Sequence, residues 1–194
     1  IICVPAAVIG ARLYYVAFNW DMYSGDLLKI LNIRLGGLAI HGGLIFGLGA
    51  AAILCVIWKI RPLNAMDLAA PCIAIAQSIG RWGNYFNSEA HGGPTDLPWG
   101  VEINGMTYHP TFLYESIWCF MLFFFLIYVD NRRKFEGQTI LLYGILYSVE
   151  RFFVEGLRTD SLMIGPFRQA QLLSLTVIII CTAFYLILRK KMSR

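Results

Sequence analysis

Charge is scarce in this sequence. Only 14% of its 194 residues are Asp, Glu, Lys or Arg, while 58% are hydrophobic; a soluble domain carries roughly a quarter charged residues. The deficit is concentrated in long apolar runs, which argues against an unusually greasy soluble core and for a membrane protein. The five cysteines, Cys3, Cys55, Cys72, Cys119 and Cys181, all sit inside apolar stretches with no C-x-x-C pair. That distribution excludes a disulfide or zinc framework and leaves small buried hydrophobes. The three histidines, His41, His91 and His109, have no H-x-x-x-H or H-E-x-x-H spacing, so no metal is expected. No G-x-S-x-G elbow, P-loop or dinucleotide fingerprint occurs. The basic residues punctuate apolar runs and form no basic face, so no nucleic-acid partner is expected.

What the chain does have is six apolar stretches near the length of a membrane crossing. They cover 1–18, 36–58, 65–79, 111–129, 139–154 and 170–188, with Arg12 interrupting the first. The third and fifth are short and weakly polar, as suits helices that line a cavity. With no internal repeat, the expectation is one all-α, polytopic integral membrane domain over 1–194, with six spans. The formal charge of +4 marks topology. Lys59 and Arg61 follow the second span, Arg132, Arg133 and Lys134 follow the fourth, and Arg189, Lys190, Lys191 and Arg194 follow the sixth. These three clusters fall on one side, which the positive-inside rule makes the cytoplasm. The loops at 19–35, 80–110 and 157–169 then face outward, and the C-terminus faces inward. The chain opens on Ile1, already within an apolar stretch, which reads as a trimmed or partial sequence.

Arg81, Arg151 and Arg158 are left on the outer side, where topology does not call for them. Arg81 stands in Gly80-Arg81-Trp82-Gly83-Asn84, a segment that continues through Glu89 and His91 to Gly92 and Gly93. Its glycines permit tight turns and close backbone approach. Arg81 and Asn84 could grip a phosphate there; a solvated loop whose arginine snorkels to anionic lipid fits equally. Tyr147, Arg151, Glu155 and Arg158 fall at about 0°, 40°, 80° and 20° around a helix, on one face. Arg151 and Glu155 could simply offset each other, but a second arginine leaves positive charge over, which suits a phosphate. His41, in Gly36-Gly37-Leu38-Ala39-Ile40-His41-Gly42-Gly43-Leu44, reads as a structural histidine or as a catalytic one. Glu115, one turn into the helix after Tyr108-His109-Pro110-Thr111, is a plausible partner for a buried arginine. These features fit a lipid-modifying enzyme. They also fit a small transporter or lipid-binding protein with an anion site, or an enzyme moving a phospho-alcohol headgroup. The first of these rivals often shows a repeat and the second usually needs an acidic metal cluster, neither of which is evident here.

Taken together, the segments resemble prolipoprotein diacylglyceryl transferase, a bacterial family. The resemblance runs from Gly10-Ala11-Arg12-Leu13-Tyr14-Tyr15-Val16 through His41-Gly42-Gly43-Leu44, Gly80 to Gly92 and His109-Pro110-Thr111-Phe112-Leu113-Tyr114-Glu115 to Tyr147–Arg158. It implies transfer of the diacylglyceryl group of phosphatidylglycerol to the lipobox cysteine thiol in the signal peptide of a preprolipoprotein, releasing glycerol 1-phosphate. Membrane lipids are the surroundings, the bacterial plasma membrane is the location, and no cofactor is required. The family's essential positions match His41, Arg81, Asn84, Glu89, Gly92, Tyr147 and Arg151, with Glu115 and Glu155 at further acidic positions. The implied roles are phosphate stabilisation by Arg81 and Arg151, a general base at His41, and orientation of the headgroup by Tyr147 and Asn84. Glu89 and Glu155 are expected to hold the arginines, and Gly92 to belong to the substrate site. The family also has a further N-terminal span with a His-Trp-Tyr-Gly element that nothing here matches, so a full-length member is expected to have seven.

Overall fold

The computed structural model describes residues 2–192 except 26, 27, 34, 35, 90, 160 and 162. Ile1 at the head of the first expected span, Ala90 in the outward glycine-containing segment and Arg194 of the basic tail lie outside the described residues. Each of the six expected spans is a helix: α1 (Cys3–Phe18), α3 (Ile40–Ile57), α4 (Pro62–Gly80), α6 (Thr111–Asp130), α7 (Gln138–Leu157) and α8 (Gln169–Met192). Short helices α2 (Leu28–Leu31) and α5 (Trp82–Phe86) lie between them. Among the described residues, α3, α6 and α8 are long and apolar enough to cross a membrane alone, and α1 is a shorter apolar helix. The polar residues of α4 and α7 instead turn inward, where Asp67, Ser78, Glu150 and Glu155 are buried. Two small antiparallel hairpins interrupt the helical pattern, β1 (Val101–Ile103) with β2 (Met106–Tyr108), and β3 (Met163–Ile164) with β4 (Phe167–Arg168). Asn104 and Gly105 turn the first with φ of 51° and 79°, the positive angles that a two-residue hairpin loop requires.

The chain divides into two compact units, Ile1–Pro62 and Leu63–Arg194. In the first, α1 and α3 approach so closely that a methyl group at Gly42 would fall on the Gly10 carbonyl oxygen. Small residues on facing helices allow such contact in an apolar setting. Arg12, which looked like an interruption, is the anchor of this unit. Its guanidinium donates to the carbonyls of Lys29 (2.6 Å), Ile30 (2.8 Å), Asn32 (3.1 Å), Gly36 (2.8 Å) and Gly37 (2.9 Å). It also lies 5.1 Å from the centre of the Tyr23 ring. A guanidinium is a planar fork of five N–H donors, so one side chain can fasten a whole loop. The pinned carbonyls explain why α3 begins at Ile40 and not at the 36 expected from apolarity. Gly36 and Gly37 take positive φ of 82° and 76°, which glycine adopts at no steric cost.

The second unit is built on a core of Ala70, Ala74, Leu122 and Leu126, with Trp118, Tyr143 and Tyr147 packed against it. At one end, the fully buried Asp67 of α4 accepts from the backbone N–H of Gly137 (2.6 Å) and Ile140 (2.9 Å) and from Arg133 Nη1 (3.3 Å). A carboxylate from one helix therefore caps the N-terminus of another, where unpaired N–H groups and the helix dipole favour negative charge. Arg133, expected to mark topology, also belongs to this joint. Asp67→Ala should lower the stability of the detergent-solubilised protein by roughly 2–4 kcal/mol, since buried groups would lose a charged partner. Asp67→Asn should lose less, as read by thermal unfolding; equal stability of all three proteins would show that the cap contributes nothing.

Candidate functional site

At the other end of the second unit, α4, α5, α6 and α7 bring four charged side chains together. The end of α4 is fixed to α6 by a reciprocal pair: Ser78 Oγ donates to the Ser116 carbonyl and Ser116 Oγ to the Ser78 carbonyl, both at 2.8 Å. Trp82, the first residue of α5, donates from its indole to Ser116 Oγ at 3.1 Å and packs edge-on against Phe112. Arg81, between these two anchors, reaches α6, where its Nε lies 2.6 Å from Glu115 Oε2. The other Glu115 oxygen takes Nη1 of Arg151 from α7 at 2.5 Å. Arg151 Nη2 is also 2.8 Å from Glu155 Oε2, one helical turn on, as an ion pair whose angle departs from that of a hydrogen bond. Arg81 Nη2 donates to the Tyr147 hydroxyl at 3.1 Å. Tyr147 in turn stacks on Tyr143, whose hydroxyl donates to Gln77 Oε1 at 2.8 Å.

Glu115 is 2% exposed and is shared by two arginines that are themselves mostly buried, at 22% and 20% exposure. Burial works against the charge on Arg81, but Glu115 and Tyr147 beside it outweigh this, and its pKa is raised above the ordinary value. Arg81 and Arg151 are thus paired with Glu115 and Glu155, while Arg158, the second arginine expected on the α7 face, stands at the C-terminal end of that helix.

Two clefts open beside this cluster. One, of about 290 Å³, is lined by Asn84, Glu89, His91, Glu102 and His109. Glu89 accepts from Asn87 Nδ2 at 3.1 Å, and among the described residues Arg81 and Arg151 pair with Glu115 and Glu155. Gly92 closes the edge of this region. Its N–H donates to the His109 carbonyl at 2.9 Å, and a side chain there would meet His109 Cβ at 2.6 Å, Leu157 O at 3.1 Å and Thr111 Cγ2 at 3.2 Å. Three segments cross at a point where only glycine fits. The other cleft, of about 380 Å³, is lined by Arg151, Glu155, Arg158 and the start of α8. His41 belongs to the first unit, exposed in the opening turn of α3 with its ring 6.1 Å from that of Tyr14.

A family model for prolipoprotein diacylglyceryl transferase matches residues 1–187. The chain belongs to that family. Proteins named phosphatidylglycerol--prolipoprotein diacylglyceryl transferase are similar to it over most of its length. The one from Clostridioides difficile is 53% identical over 179 residues, 92% of this chain and 72% of that protein. The one from Finegoldia magna is 52% identical over 176 residues, 90% and 71% of the two chains. The one from Clostridium kluyveri is 48% identical over 204 aligned positions, all of this chain and 80% of that protein. As a member of this transferase family the protein is an integral membrane protein, in agreement with its apolar helices.

Within the family frame, the structure joins Arg81, Tyr147, Arg151 and Glu155 through Glu115, and sets Asn84 and Glu89 together on the neighbouring cleft. Two polar residues escaped the sequence reading. Glu150 is buried on α7 with neither carboxylate oxygen hydrogen-bonded within the described protein; one residue before Arg151, it falls off the helix face that Tyr147, Arg151 and Glu155 share. Arg168 donates from Nη1 to the carbonyls of Glu155 and, at 3.0 Å, Arg158, closing the C-terminus of α7. A cation near the end of a helix was the available signal. Glu115→Ala should destabilise the protein by roughly 3–5 kcal/mol, because it strands two mostly buried cations. Gly92→Ala should fail to restore wild-type melting for steric reasons. Unchanged unfolding temperatures for both variants would contradict this geometry.

Proposed function

We propose that the protein transfers the diacylglyceryl group of phosphatidylglycerol to the cysteine thiol of a prolipoprotein, the first step of lipoprotein maturation. The observation that carries this reading is the joint hold of Glu115 on Arg81 and Arg151, in a chain of this family. The thiol is the lipobox cysteine in the signal peptide of the substrate. The cluster lies on the outer side of the bacterial plasma membrane and the C-terminus in the cytoplasm, as the distribution of Lys and Arg supports.

The sulfur attacks the diacylglycerol carbon that carries the phosphate ester. A C–S bond forms, the C–O bond breaks, and its electron pair passes to the ester oxygen, giving a thioether and glycerol 1-phosphate. The thiol proton goes to a base and from there to the phosphate or to solvent. Because a thiol has a pKa near 8.5, the reaction needs a base or a positive field that favours thiolate. His41 is the base in this reading. Negative charge grows on the phosphate as the bond breaks, so fixed guanidinium groups favour the transition state over the ground state. Glu115 and Glu155 hold Arg81 and Arg151 in position before the lipid arrives, and Tyr147 and Asn84 orient the headgroup by hydrogen bonds.

The full-length protein in detergent, given phosphatidylglycerol and a lipobox peptide, should yield a diacylglyceryl thioether and glycerol phosphate by mass spectrometry. Neither product from folded protein would return the site to a non-catalytic anion-binding role. Arg81→Ala and Arg151→Ala should each lower kcat by about 10²-fold or more; wild-type rates would remove the clamp. His41→Gln should slow transfer at neutral pH and recover in part above the thiol pKa, where substrate thiolate is already formed. A loss independent of pH would make His41 structural.

A further inference from the structure

The cleft of about 290 Å³ is lined by all three residues of β1, Val101, Glu102 and Ile103, and by Asn84, Tyr85 and Phe86 of α5. Side chains alternate between the two faces of a strand, so a cleft that meets three in a row meets the edge of the strand. We propose that this cleft takes the substrate peptide, and that the segment following the acceptor cysteine lies extended along β1 and pairs with the main chain of Glu102. The proposal rests on the transferase reading and deepens it.

The hairpin leaves that edge open. Its two-residue turn makes Ile103 and Met106 a hydrogen-bonded pair, so Glu102 and Thr107 form the next, non-hydrogen-bonded pair. The main-chain groups of such a pair point away from the partner strand. Thr107 shows this directly, because its carbonyl accepts from the Thr95 N–H at 2.9 Å. Residues 92–95 thereby flank β2, with Gly92 and Gly93 also bonded to the main chain of His109, and β1 is left on the outside. By the same register the N–H and C=O of Glu102 face away from β2, and neither has a hydrogen-bond partner among the described residues. An unpaired edge is a template for another extended chain.

Charge and position select the peptide over the lipid. Glu89 and Glu102 line this cleft and no lysine or arginine does, whereas Arg151 lines the second cleft. Complementarity therefore disfavours a phosphate here and accepts a neutral or cationic chain. The rings of Tyr85 and Phe112 pack with centres 5.1 Å apart, and Phe86 stands exposed; they offer apolar surface to side chains that alternate along an extended peptide. These residues belong to the elements that carry the charged cluster. The Asn84 N–H donates to the Arg81 carbonyl at 3.2 Å, and Phe112 stands about one turn before Glu115 on α6. A chain held on β1 presents its cysteine toward the arginines. In the outward orientation proposed above, the residues after the cysteine lie outside the bilayer, and the apolar stretch before it stays in the membrane.

The full-length protein in detergent, with phosphatidylglycerol and neutral lipobox peptides, tests this. Peptides N-methylated at one position at a time after the cysteine each lose a single N–H. Only alternate residues bond to a given edge, so peptide KM should rise about fivefold or more at one position and stay near the unmodified value at the next. No loss at any position, or equal loss at all of them, would overturn the pairing. Glu102→Pro removes the N–H of the edge itself, a substitution that an edge strand tolerates. It should raise peptide KM by a similar factor, with kcat and the KM for phosphatidylglycerol within about twofold of wild type. N-methylation at the sensitive position should then add no further loss, because both changes break the same pair. Glu102→Ala keeps the N–H and should bind peptide as wild type does. Equal rises in both KM values, from Glu102→Pro protein with unchanged melting, would overturn the peptide subsite. Should melting fall, the peptide scan on wild type decides alone. Failure of the transferase reading itself would look different, with no thioether from any peptide.

Discussion

A carboxylate almost wholly removed from water and shared between two arginines sets the terms for the second unit of this protein. Glu115 would be costly alone, and so would Arg81 or Arg151. Their costs cancel only if α4, α6 and α7 stand so that Glu115 Oε2 meets Arg81 and Oε1 meets Arg151 at 2.6 and 2.5 Å. The serine pair between Ser78 and Ser116, the indole of Trp82 and the tyrosine stack under Arg81 all act to keep those helix ends in that relation. The same charges that hold the helices together are the ones a phosphate could use, so assembly of the fold and preparation of the site are one event.

That economy has a consequence for chemistry. Arginines matched one for one with carboxylates present little free charge to a neutral solvent, which suits groups near an apolar environment. On the proposed function, a phosphate ester approaching them would meet donors already oriented by Glu115 and Glu155, and its binding would compete with those carboxylates for the same N–H groups.

Much of this was legible in the sequence because it rests on periodicity. The six helices follow from apolar runs, and the shared face of Tyr147, Arg151 and Glu155 follows from a spacing of four. Glu115 was visible as a partner for an arginine because it stands one turn inside a helix that opens with proline. What stayed hidden depends on contacts distant in sequence. Nothing near Asp67 announces that it caps α7, some 70 positions away. Arg12 looked like a flaw in a span because the five carbonyls that accept from it are spread over 29–37. The hairpin at Asn104-Gly105 was readable from its dipeptide but lay in a segment read simply as an outer loop.

The most direct test is the distance between the lipid phosphorus and the guanidinium nitrogens, measured by ³¹P–¹⁵N dipolar recoupling in bilayers with ¹⁵N-arginine in the full-length protein. Arg81→Lys and Arg151→Lys serve to assign the signals. With Arg81 and Arg151 holding the phosphate, phosphatidylglycerol should give a strong coupling that each substitution weakens. A coupling of equal strength with any phospholipid, unchanged by either substitution, would mean that these arginines form a structural joint with Glu115 and do not hold the substrate.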